Sequence, residues 1–165
     1  MNSNENLTFS DHLHIEKNKP HFATDFKPHC NIIIERHNDK GELAERRDLH
    51  NTITTAGLAS IMDQLLLSPT LGKPTHMAQG TGSPAATLLG TENARVAFAT
   101  KTRSAAVVTI TAVFPAGTGT GTITEAGLFD IVTANTVNML ASASFTGIPK
   151  AAGDSLTFTW TITGA

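Results

Sequence analysis

Tyrosine is absent from this sequence, and tryptophan and cysteine occur once each. A sugar-binding surface would want exposed aromatic rings, and a chain without tyrosine has few to offer. With Cys30 alone, no disulfide forms within the chain, so folding is not expected to depend on an oxidising compartment. Charge is scarce too: 16% of the residues are Asp, Glu, Lys or Arg, and the formal net charge is -2. That balance excludes the basic footprint of a nucleic-acid binder. No apolar run approaches the length of a membrane span. The opening MNSNENLTFSDHLHIEKNKPHF holds no apolar stretch of signal-peptide length. The chain is therefore expected to be made and folded in cytosol, with neither nucleic acid nor membrane as a partner.

What is present fills one ordinary domain. The 165 residues are 40% apolar, enough to bury a core without metal or disulfide staples. Thr, Ala, Ser and Gly stand where charged residues would otherwise be, which suits strands better than long solvated helices.

Residues 1–29 differ from the remainder. They are polar, and they carry Pro20 and Pro28. Their apolar residues Leu7, Phe9, Leu13, Ile15, Phe22 and Phe26 follow no lasting period, which predicts an extended arm that docks onto something. Residues 30–165 form the predicted domain. NIIIERHNDKGELAERRDLH reads as a hairpin turning at Asn38–Gly41, where Asn, Asp and Gly supply the backbone angles of a tight turn. NTITTAGLASIMDQLLLSP reads as a helix capped by Thr54 or Thr55 and stopped by Pro69. Its residues Leu58, Ile61, Met62, Leu65 and Leu66 share one face, which is expected to pack on a sheet. A membrane role for that face is disfavoured, because the polar face carries no Lys or Arg.

From Thr75 onward the pattern is that of strands: HMAQ, RVAFATKTR, AAVVTITAVF, TITEAGLFDI, VNMLASASF and LTFTWTI. In the last, Leu156, Phe158, Trp160 and Ile162 alternate with threonines, the period of a strand with one buried face. Short Gly-, Pro- and Asn-bearing turns divide the series, and no βαβ alternation is present. The fold class expected is mainly β: an antiparallel sandwich or jelly-roll-like domain with one helix and an extended N-terminal arm.

No residue set rises to an enzyme. Gly80-Thr81-Gly82 is followed by Ser83-Pro84, without the lysine a phosphate-binding loop needs. A dinucleotide fingerprint would place its third glycine at Ala85. Gly117, Gly119 and Gly121 lie between two strands and read as a mobile connection. His12, His14, His21 and the pair His29-Cys30 could supply zinc ligands, yet their spacing matches no closed four-ligand pattern. Glu92 and Glu125 suggest an acid/base pair of the glycosidase kind, but Arg95 lies three residues from Glu92, and a structural ion pair is the simpler account. Trp160 is assigned to the core. No catalytic residue, cofactor or metal is expected; a small hydrolase or lectin is the reading from another class.

The ordered series HNTITTAGLASIMDQLL, MAQGTGSPAATLLGTENAR, VVTITAVFP, ITEAGLFD, MLASASF and IPKAAGDSLTFTWTI resembles a recurrent pattern among virion proteins of tailed bacteriophages. The resemblance covers about residues 50–162, and the matching positions are Gly80, Gly82, Glu92, Arg95, Glu125, Gly127 and Trp160. LLGTENAR departs from the pattern by placing Gly90 and Thr91 before the glutamate. Proteins of this look occur as capsid decoration (cement) proteins and as baseplate or tail-fibre components. The resemblance implies a sandwich or jelly-roll module that self-associates, binds a viral shell and carries out no catalysis. An apolar-dotted arm suits the bridging of capsid subunits, and neither a repetitive fibre shaft nor exposed tip aromatics are present. The expectation is a decoration protein on the outer head surface, assembled in the host cytoplasm, with the major capsid protein as partner. Leu7, Phe9, Leu13, Phe22 and Phe26 would lie on that protein. Self-association as a trimer is expected before a dimer, and a tail, baseplate or tail-fibre adaptor is the alternative.

Overall fold

The computed structural model describes residues 28–68, 72–134 and 138–164. The expected arm residues Leu7, Phe9, Leu13, Phe22 and Phe26, and Pro69, lie outside them.

The domain is mainly β, with two antiparallel sheets and one helix among the described residues. The hairpin comes first. β1 (His29–His37) and β2 (Leu43–Ile53) pair antiparallel, with Ile32 opposite Leu49 and Ile34 opposite Arg47. The side chain of Asn38 closes the turn by accepting from the backbone N–H of Lys40 at 3.0 Å and of Glu42 at 2.9 Å, and Gly41 takes a φ of +78°. Helix α1 (Thr55–Asp63) follows directly. Then come β3 (His76–Gly80), β4 (Glu92–Ala97), β5 (Thr100–Ser104), β6 (Val107–Phe114), β7 (Gly121–Phe129), β8 (Met139–Lys150) and β9 (Ser155–Thr163).

The strand order is β4-β3-β7-β8-β2-β1-β9-β6-β5. β2 is the corner: most of it pairs with β1, while Thr52 and Ile53 pair with Ser142 and Ala141 of β8. One sheet therefore holds β2, β1, β9, β6 and β5, and the other holds β8, β7, β3 and β4. The stretch read as one strand, RVAFATKTR, is two strands in different sheets. Val96 belongs to β4 against Met77, and Lys101 belongs to β5 against Ile110. Phe98 and Ala99 make the crossing, with the N–H of Phe98 donating to Thr75 O and that of Ala99 to Thr111 O.

Between the sheets lie Ile32, Ile34, Ile110, Phe114, Ile123, Leu128, Phe158 and Trp160, all essentially without solvent contact. Each such side chain contributes roughly 1.5–3 kcal/mol by leaving water. Phe114 and Phe158 meet edge to face, ring centroids 5.5 Å apart. Trp160 lies in the core as its alternation implied, and its indole N–H donates to the sulfur of Cys30.

The helix departs from expectation. Thr54 is the cap, its hydroxyl accepting from Gly57 N–H at 2.9 Å. The helix ends at Asp63, and tight turns at Leu65 and Leu66 follow. The face that packs on the sheet is made of Gly57 and Ser60, not of the leucines. Leu58, Met62, Leu65 and Leu66 are exposed, at 37%, 51%, 79% and 58%. Contact distance explains this. A Cβ on Gly57 would stand 1.8 Å from the carbonyl oxygen of Leu140, so the backbones touch and the larger side chains point away.

Candidate functional site

The Gly-x-Gly loop is an anion cradle whose anion is the protein's own. Glu125 sits in β7 opposite Gly80 of β3 and has no solvent contact. Its carboxylate accepts three backbone N–H bonds: from Gly82 at 3.0 Å, Gly90 at 2.8 Å and Thr91 at 2.8 Å. The neighbouring Thr124 hydroxyl donates to Gly82 O at 2.6 Å. Amides converging in this manner would suit a phosphate oxygen, but a side chain of the same chain holds the position. A Cβ on Gly80 would lie 2.4 Å from that carboxylate, which is why small residues flank it. Buried charge is tolerated where hydrogen bonds surround it.

Glu92 and Arg95 form the ion pair expected from their spacing. Arg95 donates through Nε and Nη2 to the two Glu92 oxygens, each at 2.8 Å, with the side chains only 3% and 2% exposed. The guanidinium stacks over Phe129 at 3.8 Å and donates to Ile131 O at 2.9 Å. This unit ties β4 to the end of β7. His76 lies close by; burial, reinforced by the positive charge of Arg95, holds its imidazole below the usual value. Glu125 and Glu92 are thus each engaged by groups of their own chain, one by amides and one by a guanidinium.

The glycines after β6 connect two strands as expected, but the connection is tied. Gln79 donates to Gly119 O at 2.7 Å and Asn93 to Thr120 O at 3.2 Å.

Another polar cluster left no sign in the sequence. The β8–β9 turn is held by Asp154, which accepts from Ala151 N–H at 3.0 Å and from Arg36 at 3.0 Å. Lys150 is buried and donates to the carbonyls of Asp154 at 2.7 Å and Pro115 at 3.0 Å. Arg36 and Asp154 are 118 residues apart, beyond any local spacing rule.

Among the described residues no three His, Cys, Asp or Glu side chains gather as metal ligands. Cys30 is buried beneath Trp160, while His29 beside it is exposed. His12, His14 and His21 lie outside the described residues.

Two apolar features lie at α1 among the described residues. The first is a ledge formed by Leu58, Met62, Leu65, Leu66 and Leu67 on and after α1, all exposed. The second is a cavity of about 190 Å³ under the same helix, walled by Ile53, Val108, Ile110, Leu128, Leu140 and Ile162. Lys73, Lys101 and Gln64 also line it. Neither was foreseen, because a leucine stripe has the same period whether it covers a sheet or awaits a partner. No helix among the described residues is long and apolar enough to cross a membrane.

Comparison with protein-family models, with curated proteins and with solved structures yields no match.

Proposed function

We propose that this protein is a structural component of a tailed-phage particle, a decoration protein that binds the outer surface of the head and bridges major capsid protein subunits. The observation that carries an assembly role is the ledge: four leucines and a methionine left exposed around one short helix. Five large apolar side chains exposed within ten residues of chain exceed the scattered single ones a surface ordinarily carries, and such a concentration favours protein–protein contact. Its placement on a shell comes from the virion-protein resemblance of residues 50–162. The buried carboxylates fit the same reading, since Glu125 and Glu92 hold loops and strands together. Extra interface between capsid subunits would resist the outward pressure of packed DNA. The N-terminal segment would add contacts along its length, each offsetting part of the entropy of ordering it.

The test is binding to heads prepared without the protein. Full-length chain should saturate them. Leu65→Asp with Leu66→Asp, both outside the core, should leave the fold intact and reduce binding at least about tenfold, the effect of ~1.4 kcal/mol at an interface. Removal of residues 1–29 should abolish binding. Undiminished binding by both variants would refute the reading.

A further inference from the structure

We infer that the cavity under α1 is the seat of the chain's own Phe26, which anchors the N-terminal segment to the domain. The inference stands independently of any shell, and it takes Phe26 out of the set of arm residues expected to lie on a capsid partner.

The cavity lies at the end of the sandwich where β1 begins. β1 starts at His29, opposite Thr163, and Cys30 lies opposite Ile162. Ile162 is a wall of the cavity. The other walls come from that end too: Ile53 closes β2, Val108 begins β6, Leu128 nears the end of β7 and Leu140 begins β8. Paired strands place Cys30 and Ile162 about 5 Å apart at Cα. Phe26 is four residues before Cys30, a reach of up to roughly 13 Å in extended chain. No other aromatic of the first 28 residues is so near: Phe22 and Phe9 lie further back in the sequence.

Size and chemistry agree. A cavity of roughly 150 Å³ with aliphatic walls holds a benzene ring, and this one measures about 190 Å³. Leaving such walls open to water is unfavourable, and a phenyl ring removes that cost. Charge agrees as well. Lys73 and Lys101 lie at the cavity, and Lys101 is directed across its rim, donating to Pro74 O at 2.9 Å. The residue before Phe26 is Asp25, so a ring seated inside brings a carboxylate to two ammonium groups. Occupancy would also brace α1, which otherwise rests on the sheet through Gly57 and Ser60.

The test is NMR on the full-length chain with ¹³C-labelled Ile, Leu and Val methyls. Seating predicts nuclear Overhauser contacts from an aromatic ring to the methyls of Ile162, Leu140 and Ile53 that disappear in Phe26→Ala. Amide shifts at β3 and β4, remote from the cavity, should stay unchanged in that variant, which certifies its fold. Methyl-labelled Phe26→Ala chain mixed with unlabelled wild type should show no such contacts. Contacts in that mixture would assign the ring to a neighbouring copy and overturn the inference. So would wild-type spectra in which the cavity methyls meet no ring that Phe26→Ala removes.

Discussion

The carboxylate of Glu125 accepts the backbone N–H of Gly82 at 3.0 Å, forty-three residues away in the chain. With Gly90 and Thr91 donating to the same group, one buried side chain fastens both limbs of the loop between β3 and β4. Replacement by alanine takes the shared acceptor from three N–H groups, and because Gly90 and Thr91 are exposed residues their amides can turn to water, which holds the loss below the full cost of three buried donors. Glu125→Ala is expected to lose roughly 1–3 kcal/mol in urea unfolding, and Glu125→Gln less, since one oxygen still accepts. Amide exchange should locate the damage: Gly82, Gly90 and Thr91 should lose protection ahead of the β1–β9 pairing. Uniform loss across the domain would contradict a pinning role.

The contact of Gly57 with Leu140 gives the second prediction. Any side chain at Gly57 must displace the carbonyl of Leu140 or the helix. Gly57→Val should therefore destabilise by roughly 1–3 kcal/mol, the range for overpacking, although glycine is a poor helix former. Thermal unfolding measures it. A neutral or stabilising Gly57→Val would show that α1 does not dock by its small face.

Among the described residues, His76 and Asp154 are held in forms that acid titrates away. His76 is held below its usual value near 6.5, by burial first and then by Arg95. The fold thus prefers its neutral form, and the stability it contributes is complete above pH 6.5 and declines as pH falls below it. Asp154 is held below the ordinary 3.8, by the N–H of Ala151 first and then by Arg36. Its contribution is complete above that value and is lost as pH falls through its folded-state pKa. Urea unfolding across pH should show a first decline beginning near 6.5 that His76→Asn removes, and a later one that Asp154→Asn removes. A wild-type stability that rises from pH 7 to pH 5 would contradict the His76 assignment.

Cys30 should be inert in the folded protein. Burial pushes its thiol up to about 11, against the opposing hydrogen bonds of Trp160 and Asn51. Thiolate is the reactive form, so a thiol reagent at pH 8 should label the native protein far more slowly than the urea-unfolded chain. Equal rates would mean that the Trp160–Cys30 contact opens readily.

Legibility in the sequence followed the range of the interactions. The strict alternation around Trp160 and the turn at Asn38–Gly41 rest on neighbours in the chain, and both appear in the fold where the pattern put them. Thr54 as helix cap and the Glu92–Arg95 pair are also short-range. The helix face misled because hydrophobic period reports which residues share a side, not which side meets the sheet; Gly57 decided that through a contact with Leu140, eighty-three residues on. RVAFATKTR alternated too weakly to reveal that it changes sheets at Phe98-Ala99. Glu125 attracted notice as a candidate acid, but its three amide donors come from a loop more than thirty residues earlier. The Arg36–Asp154 bond and the cavity walls, drawn from six strands and a helix, have no signature in any window of the chain.

A stoichiometric place on a shell is tested most directly by quantitative mass spectrometry of purified particles. The chain's ratio to the major capsid protein should be near unity or a simple fraction such as about one third, as symmetric sites on a shell require. A ratio of roughly a few per cent would contradict the head placement and move the protein to the tail, where copies are set by a ring or fibre rather than by a shell. Absence from the particles would contradict the structural role altogether.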